Sequence, residues 1–162
     1  MINLKELYNL QAELDKDIAI KHEVNYETTH KKRLLALIIE IGELANETRC
    51  FKYWSNKPSS PKEVVIEEYA DGLHFLLSLG IPLNTKKFDY ELLDEEAELT
   101  DLFHKMYHKS TLLVDHYDLE HYIDAMQTYL NIAKKLSFSE EDIISSYKAK
   151  LHINYVRQES NY

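Results

Sequence analysis

Apolar residues recur at helical spacing through most of the chain. Leu4, Leu7, Leu14 and Ile18 form one stripe, which predicts a first helix over 3–21. A polar, β-branched stretch from Val24 to Thr29 breaks it, and a second helix is expected from about 30 to 49, with Tyr53 as its furthest extent. The run SNKPSSP that follows reads as a loop. Ser60, Pro61 and Glu63 then have the pattern of an N-cap, a first helical position and a capping-box acid, so a third helix is predicted to start at Pro61. It carries Val64, Val65, Tyr69, Leu73, Leu76 and Leu77 and stops near Gly80 and Pro82. Residues 81–93 read as a connection, a fourth helix falls within 94–109 and a fifth runs from about 118 to 136. Ser139 and Asp142 open the last helix, which ends near 157. The pattern therefore predicts an all-α bundle of about six helices.

Composition narrows the class. Three Gly and three Pro leave long uninterrupted helical segments, and 162 residues suit a single domain over 1–162. The net charge of −9 argues against a nucleic-acid groove or an anionic membrane surface as partner. A small anionic substrate fits only if a metal ion neutralises it. The single cysteine, Cys50, makes no internal disulfide, no signal-peptide pattern opens the chain and no apolar run approaches the ~20 residues of a span, so a cytoplasmic location is expected. No motif surrounds Cys50, which reads as a buried, inert thiol.

Two acidic pairs carry the chemistry. Glu40 and Glu43 lie in the second helix and Glu68 and Asp71 in the third, each pair at i, i+3 and hence on one helical face. The run LLALIIEIGEL around the first pair is apolar enough to bury most of the helix circumference. Buried carboxylates are costly unless paired or bound to a cation, so two such pairs on neighbouring helices read as a cage for Mg²⁺, with Mn²⁺ as substitute. A single E-x-x-E would be an ordinary surface feature; two in apolar helices point to phosphate handling.

Other polar groups weigh less. His104 with His108, and His116 with His121, have spacings that resemble zinc ligands but lack an acidic partner motif, and their charged neighbours place them at the surface. Lys150, Asn154 and Arg157 share one helical face and suit a polyphosphate, although a cationic last turn complementing the helix dipole would look the same.

These residues coincide with a known pattern. The chain resembles the dimeric all-α dUTPases, within the MazG-related superfamily of all-α nucleoside triphosphate pyrophosphohydrolases. The superfamily pattern is E-x-x-E followed by E-x-x-D. The narrower likeness rests on LQAELD, on EIGELANETRCFKYWS leading to EEYADGLHFLLSLG, and on the ending YxxKxxxNxxRQxxxY. The resemblance implies Mg²⁺ coordination by Glu40, Glu43, Glu68 and Asp71, and a uracil and deoxyribose pocket formed by Gln11, Trp54, His74 and Phe75, with Asp15 beside them. It also implies phosphate and nucleotide contacts from Lys150, Asn154 and Arg157, and a homodimer. Leu151 and Asn161 stand where the family often has Asn and Gly.

The expected reaction is dUTP and water to dUMP and pyrophosphate, with dUDP as a second substrate. Glu43, with Glu40, would orient or deprotonate the attacking water, while Lys150 and Arg157 hold the phosphates. Two other readings remain open at this point. One is a broader house-cleaning pyrophosphohydrolase of MazG type, and the other an idle helical interaction protein. Either enzyme reading leaves room for a regulatory protein partner.

Overall fold

In a computed structural model, described over residues 1–160, six helices account for most of the chain. Asn161 and Tyr162, the end of the C-terminal motif, lie outside the described residues. Helix α1 spans Lys5–His22, α2 Tyr26–Thr48, α3 Lys62–Gly80, α4 Leu99–Asp115, α5 Leu119–Lys135 and α6 Glu140–Glu159. Strands β1 (Ile2–Asn3) and β2 (Asp89–Tyr90) pair antiparallel, so the connection after α3 contains a short strand that ties it to the start of the chain.

Helix α3 is the axis of the bundle. It packs most extensively along α2 and is also flanked by α6, α1 and α5, which explains why its stretch from Tyr69 to Gly80 is nearly all buried. Two glycines admit α5 at close range. A Cβ at Gly72 would overlap the Tyr129 hydroxyl, and one at Gly80 would overlap the Tyr122 ring. The core is leucine-rich, with Tyr69 and Tyr129 stacked at 4.5 Å and buried together in it.

Local start signals decide where the helices begin. Ser139 and Asp142 form the anticipated capping box at the start of α6. Asn25 and Thr28 form another at α2, so the segment read as a break is the first turn of a helix that starts at Tyr26 rather than about 30. The expected box at Ser60 is absent: Pro61 precedes α3 without a side-chain cap. The Ser60 hydroxyl donates instead to the Glu47 carboxylate, and its N–H donates to the Glu47 carbonyl at 3.0 Å. That pair of bonds folds the 49–61 loop back onto the end of α2. The fourth helix starts at Leu99, inside the expected 94–109, and runs on beyond it to Asp115.

Helix α2 is not buried around most of its circumference. Leu35 and Ile39 are 59% and 52% exposed on its outer side, and Glu43 is exposed as well. Cys50 is half-buried against the core. Among the described residues no helix is long and apolar enough to cross a membrane.

Candidate active site

Three of the four paired acids converge as their helices do. Helices α2 and α3 lie side by side, and one carboxylate oxygen from each of Glu40, Glu68 and Asp71 comes within 4.8 Å of the others. Among the described residues this is the one such group of three or more metal-ligating side chains. Glu43 lines the same cavity but stands outside the trio, exposed at its rim. The set is under electrostatic strain. Burial, then the charges of Asp71 and Glu43, raise the Glu40 pKa from 4.5 to about 7. Burial, with neighbouring carboxylates, also raises Glu68 and Asp71. Glu40 Oε2 is buried with no hydrogen-bond partner. An orphaned buried oxygen beside two further hard oxygen donors fits a divalent cation such as Mg²⁺.

Helix α6 brings a positive charge to this group. Lys150, only 6% exposed, places Nζ 2.7 Å from Asp71 Oδ2 and 3.4 Å from Glu67 Oε1. Burial opposes its charge, but Asp71 and Glu67 overcome that and raise its pKa. Asn154 and Arg157 follow on the same face and line the same cavity.

That cavity, about 970 Å³, runs from the carboxylates to an end bounded by α1 and the start of α2. A hydrogen-bonded network furnishes the far end. Burial lowers the His74 pKa to about 4, so at neutral pH the ring carries one proton. Its Nδ1 lies 2.7 Å from Gln11 Oε1, which also accepts from the Tyr147 hydroxyl at 3.0 Å, and its Nε2 lies 3.2 Å from the Tyr147 carbonyl. Gln11 Nε2 donates to Asp15 Oδ1 at 2.7 Å. Phe75 also lines the cavity.

The cavity thus gathers Gln11, Asp15, Glu40, Glu43, Glu68, Asp71, His74, Phe75, Lys150, Asn154 and Arg157. Trp54 does not line it. It is 64% exposed on the 49–61 loop, edge-on to Phe51 and Tyr53. The histidines read as incidental, His104 and His108, are exposed on α4, and His116 stacks on His121 at the surface.

Sequence reading missed Glu67, Ser78, Tyr26 and Arg33, all of which line the cavity. A signal existed for Ser78, which lies seven residues after Asp71 and four after His74 on the same face of α3. Tyr26 was hidden in the segment read as a break.

A search of curated proteins finds no match. The protein family described as dUTPase matches residues 3–162. With the whole helical chain inside that match, the chain belongs to the all-α dUTPase family and is a dUTP diphosphatase.

Proposed function

We propose that the triphosphate of dUTP lies at the carboxylate end of the cavity and the uracil at the Gln11–His74 end, and that Mg²⁺ is the working cation. The observation that carries this reading is the convergence of Glu40, Glu68 and Asp71, with an orphaned oxygen, beside Lys150 in one cavity. Glu40, Glu68 and Asp71 would hold the cation, with Glu43 completing the set or facing water from the rim. Mn²⁺ has the same hard-oxygen preference and would substitute. When bound, the cation supplies charge neutralisation and Lewis-acid polarisation at the phosphate oxygens.

The rest falls to this chain's own side chains. Glu43, exposed and outside the converging trio, orients a water for in-line attack and takes its proton. The water oxygen bonds to the α-phosphorus, the bond from that phosphorus to the bridging oxygen breaks, and pyrophosphate leaves. Lys150 and Arg157 hold the departing phosphates, and Asn154 donates from the face between them. Gln11, Asp15, His74 and Phe75 line the base and sugar, and dUDP is accepted as a shorter substrate.

Trp54 joins the site across a homodimer. It is exposed and lies outside its own chain's cavity, while the bare apolar side chains Leu35 and Ile39 offer a face for a second copy. The Trp54 indole of one protomer would then close over the base held by its partner. With one cysteine and, among the described residues, no helix long and apolar enough to cross a membrane, a cytoplasmic place suits the chain.

Pyrophosphate release from a panel of dUTP, dCTP, dTTP and dATP, with and without Mg²⁺, tests the proposal. Preference for dUTP by orders of magnitude and loss of turnover in excess EDTA are expected. Equal rates across the panel would instead favour a house-cleaning pyrophosphohydrolase. No turnover of any nucleotide would favour an idle interaction module, a reading against which the converging carboxylates weigh.

A further inference from the structure

The base end of the cavity contains a second layer of hydrogen bonds, none of whose outer members touches the triphosphate end. Asp15 accepts three of them. Gln11 Nε2 donates to Oδ1 at 2.7 Å, and the hydroxyls of Ser78 and Tyr26 donate to Oδ2 at 2.6 and 3.1 Å. Arg33 braces both hydroxyl donors. Its Nη1 donates to the Ser78 carbonyl at 2.9 Å and to Ser78 Oγ at 3.3 Å, its Nη2 donates to the Tyr26 carbonyl at 2.7 Å, and its guanidinium lies 4.6 Å from the centre of the Tyr26 ring. Three helices, α1, α2 and α3, are thereby joined through one carboxylate.

The consequence is a fixed amide. A carboxylate only accepts, so the side of Gln11 that faces Asp15 must be the nitrogen, and the Gln11 oxygen must face His74 and Tyr147. The Gln11 nitrogen gives one of its two N–H groups to Asp15, which leaves the other, and a second lone pair on Asp15 Oδ1, to offer the cavity. Uracil has a single donor on its ring edge, N3–H, between two carbonyl oxygens. The carboxylate pairs only with N3–H, and the spare Gln11 N–H is left for a carbonyl. Cytosine in the same pose would set its bare N3 against the carboxylate, and unpaired buried groups of that kind discriminate strongly.

We infer that Ser78 and Tyr26 are positioning residues for base selection: they hold Asp15, and through it the Gln11 amide, in the one orientation that accepts uracil. The inference rests on the placement of the base proposed above.

The test is the ratio of kcat/KM for dUTP to that for dCTP in the double variant Ser78→Ala, Tyr26→Phe. The ratio should fall roughly tenfold or more, with the dUTP KM rising more than kcat falls. Ser78→Thr keeps the hydroxyl and should keep the ratio, a rescue that loss of packing alone does not give. If the double variant fails to fold, the single variants Ser78→Ala and Tyr26→Phe serve in its place, each removing one donor to Asp15 Oδ2; a smaller loss of selectivity is expected from each. Undiminished selectivity in a folded double variant, or in both single variants, overturns this inference alone. An unmutated protein that hydrolyses dUTP and dCTP alike overturns both the inference and the base placement beneath it.

Discussion

Glu40 and His74 pull the pH dependence of stability in opposite directions. Burial and neighbouring charge raise Glu40 from 4.5 to about 7, so between those values the folded chain holds a proton that the unfolded chain has released. Without metal, the fold therefore loses stability as pH rises through that window. Burial lowers His74 from 6.5 to about 4, so there the unfolded chain binds the extra proton and the fold gains stability as pH rises from about 4 to 6.5. The two partly offset each other until the histidine window closes, after which only the Glu40 penalty remains. With divalent ions chelated, Glu40→Gln should melt a few degrees above the unmutated protein at pH 8 and by much less at pH 4.5. A difference independent of pH would show that Glu40 is not the strained carboxyl. Glu43 has a different task at the rim. Glu43→Gln should lower kcat for dUTP by about 10²–10⁴-fold with the melting temperature retained, and a loss below tenfold would remove it as the base.

At the scale of elements, contact between helices depends on what is missing from α3. Gly72 and Gly80 let the rings of Tyr129 and Tyr122 lie against the α3 backbone. Gly72→Ala should destabilise the fold by about 1–3 kcal/mol in urea unfolding through overpacking, and an effect within experimental error would mean that α5 yields freely. The helices themselves were largely legible, because apolar periodicity and the Ser139–Asp142 box are local signals. The convergence of Glu40, Glu68 and Asp71 was legible for the same reason, since i, i+3 spacing sets a shared face before any packing is known, but that spacing did not reveal that Glu43 stays out at the rim. Boundaries that rest on distant partners were not. Ser60 is drawn away from its helix by Glu47, thirteen residues earlier, and no window around Ser60 reveals that. The Asn25–Thr28 box was local but lacked the acidic third residue usually sought, so the start of α2 was placed late and Tyr26 went unseen as part of the cavity. Exposure of α2 was equally hidden. Leu35 and Ile39 have the composition of core residues, and only the packing of the other helices shows that this side is left bare.

For the whole molecule, that bare side and the aromatic loop are where the proposed homodimer would close. Tyr53 and Trp54, 94% and 64% exposed, and the apolar face of α2 have no covering element within the described chain. Light scattering at micromolar concentration should give twice the chain mass, and the double variant Leu35→Glu, Ile39→Glu should reduce it to one. The same variant should raise the KM for dUTP if Trp54 closes the partner's cavity; a monomer with unaltered KM would place the indole outside the site. The most direct test of the central claim is pyrophosphate release from dUTP by the unmutated protein in Mg²⁺, repeated in excess EDTA and against dCTP. Turnover of dUTP that vanishes with EDTA and exceeds dCTP turnover by orders of magnitude is the predicted result, and undiminished hydrolysis in EDTA would contradict a site built on Glu40, Glu68 and Asp71.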